Sequence, residues 1–120
     1  MIRNEFSYLQ FDTVNIANAG SLTAAFRLED YGLICILMPA AWTSAGLTFQ
    51  VSDTEGGTYV NLYDSTGTEI SVTVAASRCV VLDPKTFGIG FKWMKIRSGT
   101  SGSPVAQGAS RDLKIGRRPF

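Results

Sequence analysis

Leu47-Thr-Phe-Gln-Val-Ser52 opens the stretch of sequence that decides the fold. Two more alternating runs follow it, Thr58-Tyr-Val-Asn-Leu-Tyr63 and Glu69-Ile-Ser-Val-Thr-Val74, and turn-forming residues join the three runs. Apolar and polar residues that alternate with a period of two predict antiparallel strands with one buried face. We therefore expect a three-stranded meander whose polar face carries Thr, Gln, Ser and Asn. Its apolar positions are Leu47, Phe49, Val51, Val60, Leu62, Ile70, Val72 and Val74.

Apolar or alternating runs outside this meander predict further strands. These runs lie at 13–17, 22–28, 33–38, 79–82, 91–98 and 111–118. No run has the length and period of a convincing helix, and Asp83-Pro84 is expected to end a strand and lead into a loop at 85–90. With turn signals about every ten residues, the pattern predicts an all-β protein, an antiparallel two-sheet β-sandwich of jelly-roll-like type with about eight strands.

The chain divides into a short N-terminal segment and one domain. Residues 1–12 mix aromatic and charged residues without a clear period, so we expect an N-terminal arm or edge segment there. Residues 13–120 are expected to form a single β-sandwich domain, since this length is close to the commonest domain size. Neither a membrane-spanning apolar run nor the apolar stretch of a signal peptide is present in the sequence, which predicts a protein with no membrane association.

The charge balance argues against a polyanion as the partner. Eleven basic and ten acidic residues give a net charge of +1, and this excludes general nucleic-acid binding as the expected function. The two cysteines, Cys35 and Cys79, lie inside apolar runs. We expect both to be reduced core residues, because free cysteine is among the most buried residue types.

The absence of histidine excludes several catalytic classes. Gly99-Thr100-Ser101-Gly102-Ser103-Pro104 is similar to the nucleophile loop of chymotrypsin-like proteases, but that chemistry needs a histidine as general base, and the chain has none. Histidine-based zinc sites are excluded for the same reason, and two cysteines cannot close a four-thiolate site. We therefore expect that the protein is not an enzyme.

Acidic residues at the two meander turns are the remaining candidates for ion or acid–base chemistry. Asp53/Glu55 and Asp64/Glu69 carry oxygen ligands that calcium could take, but their spacing does not match an EF-hand. Asp-x-x-Gly is also ordinary turn chemistry, and carboxylates at hairpin tips are normally too solvated to form a glycosidase pair. We expect no cofactor.

Four aromatic residues offer an alternative function. Trp42, Tyr59, Tyr63 and Trp93 could form a sugar-stacking platform on a sandwich. Aromatic residues in a domain of this size are more often part of the core or of a protein interface. The alternative is a carbohydrate-binding or adhesion module of a phage tail or fibre or of another surface protein.

The order of these elements resembles small β-sandwich virion structural proteins of tailed bacteriophages, of the capsid decoration or cement type. The residues that carry the resemblance lie within 38–115: Met38-Pro-Ala-Ala-Trp-Thr-Ser-Ala-Gly-Leu-Thr-Phe-Gln-Val-Ser52, Thr58-Tyr-Val-Asn-Leu-Tyr-Asp64, Met94-Lys-Ile-Arg-Ser-Gly-Thr100, Pro104-Val-Ala-Gln107 and Arg111-Asp-Leu-Lys-Ile115. These are packing and turn patterns, and none of them is a catalytic signature.

The resemblance implies a non-enzymatic protein that decorates or cements the capsid. It would be made in the host cytoplasm, bind the major capsid protein or other virion subunits at the capsid surface, and stabilise the shell. Homo-oligomers are expected, with a trimer favoured by the local three-fold axes of shells. The residues expected to contact partners are Phe6, Tyr8, Trp42, Trp93, Arg117, Arg118 and Phe120.

Overall fold

This computed structural model describes residues 9–119 of the chain. They contain eight β-strands and one helical turn, joined by turns and loops. In chain order the elements are β1 (Gln10–Ile16), β2 (Phe26–Arg27), β3 (Tyr31–Leu37), β4 (Leu47–Ser52), β5 (Val60–Asn61), β6 (Cys79–Val81), α1 (Pro84–Phe87), β7 (Trp93–Ser98) and β8 (Arg111–Pro119). Across these residues, no helix combines the length and the apolar character that a membrane crossing requires.

The strands form two antiparallel four-stranded sheets. The first sheet has the order β1-β8-β3-β6, and the second sheet has the order β2-β7-β4-β5. β1 therefore pairs with β8, β2 with β7, β3 with β6 and β4 with β5. The pairs β1–β8 and β3–β6 belong to the first sheet, and the pairs β2–β7 and β4–β5 belong to the second sheet. A long antiparallel ribbon folded over itself produces this order, which is that of an eight-stranded jelly roll. The predicted all-β two-sheet sandwich is confirmed.

The core lies between the two sheets, where the inward positions of both meet. Phe49 of β4 and Phe87 of α1 pack edge to face with their ring centroids 4.9 Å apart. The other fully buried apolar side chains are Ile16, Leu28, Leu33, Ile36, Leu47, Met94, Ile96, Leu113 and Ile115. Each such side chain contributes about 1.5–3 kcal/mol through its removal from water, so this layer dominates the stability of the domain.

The predicted three-stranded meander is only partly correct. β4 and β5 pair as expected, but β5 has two residues, and the run 69–74 makes isolated bridges in place of a strand. The backbone of Val72 bonds to Leu47 in both directions, whereas Ile70 N donates to Leu62 O at 3.0 Å. The third run thus bridges both β4 and the residues just after β5, since β5 is too short to support a full ladder.

Three further predictions from the sequence need correction. Val60 was expected to point into the core, yet it is 57% exposed, because it pairs with Val51 at the open end of the sandwich. Thr48 was expected on an exposed outer face and is buried, because loops cover that face. Cys79 was expected in the core and is exposed on the edge strand β6, whereas Cys35 is buried as predicted and both thiols are free.

The expected loop at 85–90 begins with the helical turn α1. Asp83 caps it, because its Oδ1 accepts a hydrogen bond from Lys85 N at 3.0 Å, and Pro84 occupies the first helical position. An acidic N-cap followed by proline is a typical helix start. The prediction that Asp83-Pro84 ends a strand is also correct, since β6 ends at Val81, just before this dipeptide.

The two ends of the described chain meet at one end of the sandwich, which we call the terminal end. β1 runs antiparallel to β8, so that Gln10 lies opposite Arg117. Residues 10–12 of the predicted arm or edge segment therefore belong to an edge strand of the first sheet. Residues 1–8 and Phe120, which include the predicted contact residues Phe6 and Tyr8, lie outside the described residues.

Candidate functional site

Arg117 is the centre of a charged cluster at the terminal end. Its guanidinium forms an ion pair with Asp12, donates to the backbone O of Arg27 at 2.8 Å, and stacks 4.6 Å from the ring centroid of Tyr31. Its Nε is buried and has no hydrogen-bond partner. Three elements, β1, β2 and β3, are thereby tied to β8 by one side chain. The cluster borders a depression of about 360 Å³.

Two other predicted contact residues lie at the same end. Arg118, the next residue of β8, is exposed. Trp93 is the first residue of β7 and lies between Arg27 of β2 and Ser52 of β4 in the second sheet, where it is half-buried. The structure therefore brings Arg117, Arg118 and Trp93 to the terminal end.

Trp42 is not part of this group. It lies in the connection between β3 and β4, at the opposite end of the sandwich, and packs against the core. Its indole Nε1 donates to the backbone O of Ala45 at 3.1 Å. These contacts give Trp42 a role in closing that end of the core, and they separate it from the other predicted contact residues.

An apolar depression also opens at the terminal end, between β4, β5 and the residues before β7. It has a volume of about 480 Å³, and Val51, Val60 and Phe91 form its apolar walls. Asp53 and Lys92 stand at its rim. One end of the sandwich thus presents both an apolar hollow and the exposed side chain of Arg118, and arginine and apolar groups are both common at protein-contact surfaces.

The outer face of the second sheet holds a buried polar cluster that the sequence did not predict. Arg97 of β7 forms a salt bridge with Glu69, with 3.3 Å between Nη1 and Oε2, and both side chains are largely buried. Its Nη2 donates to Asn61 Oδ1 at 2.6 Å, and its Nη1 donates to Thr48 Oγ1 at 3.3 Å. Ser101 N donates to the Glu69 carboxylate at 3.2 Å. The cluster fastens the loops before Ile70 and after Ser98 onto the sheet.

Two of the four acidic residues proposed as calcium ligands, Asp64 and Glu69, are engaged in local contacts. Asp64 Oδ1 accepts hydrogen bonds from Thr66 N, Thr66 Oγ1 and Thr68 N, at 2.7–3.0 Å. The bond from the Thr66 side chain is the main reason that the pKa of Asp64 lies below its ordinary value. Glu69 is held by Arg97. Within 9–119, no three carboxylate or cysteine side chains group as metal ligands would.

The four aromatic residues proposed as a sugar platform do not come together. Trp42 is at the far end, and the hydroxyl of Tyr59 donates to the backbone O of Glu55 at 2.7 Å. One face of the Tyr59 ring is covered by the ammonium group of Lys95, 4.4 Å from its centroid. Tyr63 is exposed. A stacking surface made of all four side chains is therefore absent from the described part of the chain.

The outer face of the first sheet carries a row of apolar side chains, which we call the apolar row. Phe11 of β1, Gly116 of β8, Cys35 of β3 and Val81 of β6 lie side by side across all four strands. Leu9 and Phe11 lean over Gly116: a Cβ at that position would lie 3.2 Å from Leu9 Cδ1 and 3.1 Å from Phe11 Cε1. Val81, at the other end of the row, is 76% exposed.

No family model matches the chain, and no curated protein or solved structure matches it either.

Proposed function

We propose that the chain is a non-enzymatic structural protein of a bacteriophage virion. In this proposal it decorates or cements the capsid surface as a homo-oligomer, binds the major capsid protein, and stabilises the shell. A rigid jelly roll with few charges suits a component that is used in many copies and contacts its neighbours through fixed surfaces.

The observation that carries the proposal is the position of the chain ends. β1 begins and β8 ends at the terminal end, with Gln10 opposite Arg117, so that the two ends of the described chain lie side by side there. Arg118 is exposed there, and the apolar hollow at Val51, Val60 and Phe91 opens at the same end. A neighbouring subunit could therefore contact apolar and basic groups on one surface.

The adhesion alternative has less support from the geometry. It needs a shared stacking surface, but Trp42 and Trp93 lie at opposite ends of the sandwich, and Lys95 covers one face of Tyr59. The capsid proposal instead needs one surface that combines apolar and basic groups. The terminal end supplies both.

The proposal is tested by binding to purified shells assembled from the major capsid protein of the phage that, in this proposal, encodes the chain. We expect the protein to cosediment with these shells and to raise their melting temperature. Arg118→Glu should weaken binding at least about tenfold, because it places a negative charge where a basic group would meet the partner. Arg78→Glu is the matched control, since Arg78 is also exposed but lies at the opposite end. Failure of the wild-type protein to bind shells would overturn the proposal.

A further inference from the structure

The apolar row brings several exposed apolar side chains together on one sheet face. Of the six large apolar side chains that are most exposed in residues 9–119, Leu9, Phe11 and Val81 lie on this one face. The thiol of Cys79, also exposed, lies beside them on β6. Clustered apolar groups of this kind mark an interaction surface more often than scattered ones do.

The backbone of the two central strands cannot supply a contact at the row. β8 and β3 are paired on both sides, so their hydrogen-bonding groups are already used. An occupant that covers the middle of the row must therefore bind through its side chains. The missing side chain at Gly116 leaves Leu9, Phe11 and the Sγ of Cys35 to form the floor of this surface.

The sequence of residues 1–8, Met-Ile-Arg-Asn-Glu-Phe-Ser-Tyr, matches such an occupant. In an extended conformation Ile2, Phe6 and Tyr8 would share one side, and Arg3, Glu5 and Ser7 would share the other. The whole stretch 1–12 has no single period of two, because the large apolar residues have even numbers from Ile2 to Tyr8 and odd numbers from Leu9 onwards. The segment alone would therefore carry three large apolar residues and Asn4 on one side, with Met1 joining the polar side.

Its length and point of attachment decide which copy it reaches. Eight residues span about 26 Å when extended, and a four-stranded sheet is about 14 Å wide, so the segment is long enough to cross the row. The segment joins the described chain at Leu9, directly beside the row, so that lying across its own row would require the chain to reverse direction immediately before Leu9. It contains no glycine or proline, the residues that would favour a sharp turn back onto its own sheet.

We propose that residues 1–8 of one copy of this chain bind across the apolar row of a second copy. Ile2, Phe6 and Tyr8 cover Leu9, Phe11, Cys79 and Val81 of the second copy, while the charged side of the segment faces solvent. This inference rests on the homo-oligomer of the proposed function, but it concerns how copies associate and not what they coat.

A cross-linking experiment with two forms of the full chain tests the occupant. One form carries Phe6→Cys with Cys79→Ser, and the other is the tagged wild-type protein with its own Cys79. After the two are mixed and oxidised by oxygen with a copper catalyst, we expect a covalent heterodimer, and peptide mapping should show residue 6 linked to Cys79. The first form mixed with tagged Cys79→Ser protein is the control and should give no such link.

The single variant Phe6→Cys distinguishes binding within a chain from binding between chains. A link from residue 6 to Cys79 of the same chain would overturn the proposal, as would the absence of any link between the mixed copies. Shell binding is measured separately and does not depend on these links. A failure of this inference is therefore distinguishable from a failure of the capsid function.

A pair of matched valine variants tests the surface independently. Val81→Lys places a charge on the row, whereas Val60→Lys makes the same change at an exposed valine on the short strand β5 of the other sheet. Sizing with light scattering should show that Val81→Lys lowers the oligomer to monomer at concentrations where wild type and Val60→Lys remain associated. A wild-type protein that is monomeric throughout, or equal effects of the two variants, would contradict the proposal. Circular dichroism establishes that both variants are folded.

Discussion

Arg97 and Glu69 form a salt bridge in which 3.3 Å separates Nη1 from Oε2, and the two side chains are only 7% and 15% exposed. The pair lies on the outer face of the second sheet, which an alternating strand would normally present to water. Segments on both sides of the pair supply partners for it: Asn61 of β5 and Glu69 lie on one side, and the backbone N–H of Ser101 lies on the other. The pair therefore fixes the segment at Glu69 and the loop at Ser101, which lie outside the eight strands.

Arg97→Met should lower the free energy of unfolding by about 3 kcal/mol, because it leaves the carboxylate of Glu69 buried without its charge partner. Arg27→Met is the matched control: the Arg27–Glu29 pair has a similar length, 2.9 Å, but is exposed, so its loss should cost less than about 1 kcal/mol. Urea unfolding at pH 7 measures both. Equal losses in the two variants would contradict the structural role assigned to Arg97.

Gly116→Ala should lower the free energy of unfolding by about 1–3 kcal/mol through overpacking. Its new Cβ would lie 2.6 Å from the Sγ of Cys35, a distance that forces the thiol or the strand to move. The same change at Gly102, where a Cβ meets nothing within 4 Å, should change stability by less than about 0.5 kcal/mol. Addition of Cys35→Ala to Gly116→Ala should recover part of the loss. If the stability of the double variant does not recover, the strain does not come from the contact between the new Cβ at position 116 and Cys35 Sγ.

Asp64 should make stability depend on pH in acid. Its pKa is lowered in the folded protein, chiefly by the hydrogen bond from Thr66, so the carboxylate stabilises the fold above its ordinary pKa of 3.8. That contribution is lost as the pH falls through the lower pKa of the folded state. The melting temperature of wild type should therefore exceed that of Asp64→Asn near neutral pH, and the difference should shrink as the pH falls below the ordinary pKa of 3.8. A constant difference at every pH would rule out this linkage.

Cys35 should make stability depend on pH in alkali. Burial, followed by the neighbouring Cys79, raises the pKa of the Cys35 thiol from 9.0 to about 11. The unfolded chain then loses the thiol proton at lower pH than the folded chain, so stability is full below pH 9 and falls as the pH rises towards 11. Relative to Cys35→Ala, wild type should lose of the order of 2–3 kcal/mol in this interval. Urea unfolding at pH 8 and pH 11 measures the difference, and parallel curves for the two proteins would contradict it.

The sequence predicted the fold class because alternation is a local signal. The runs at 47–52 and 111–118 repeat every two residues, and both are strands in the structure. Val60 shows the limit of that signal, since it alternates correctly but lies at the open end of the sandwich, where no opposite sheet covers it. Whether an inward position is buried depends on the other sheet, and a local pattern carries no information about that sheet.

The buried polar residues could not be predicted for a related reason. Arg97 and Gln107 read as surface residues by type, yet each is almost fully buried and bonded to distant parts of the chain. Gln107 Nε2 donates to Thr43 O at 3.0 Å and to Ser98 Oγ at 2.7 Å, while its Oε1 accepts from Thr43 N at 2.9 Å. Thr43 lies in a loop, and which loop lies beside Gln107 is known only from the three-dimensional structure.

The candidate site was predicted in part. The basic residues near the exit of the last strand, Arg117 and Arg118, were identified by their charge and position, and the structure places Trp93 at the same end of the sandwich. Trp42 was chosen by residue type alone, and type does not distinguish a tryptophan that closes a core from one that contacts a partner. The capsid function itself stays a prediction.

The pairing of β1 with β8 has a consequence for how the protein is made. β1 leaves the ribosome before β8 and cannot pair within its sheet until β8 has been synthesised, so the nascent chain cannot close this fold in chain order. Folding that depends on such distant contacts is expected to be slow for a domain of this size. Until β8 is made, β1 has no partner strand on either side, and its backbone groups are free to pair with another chain.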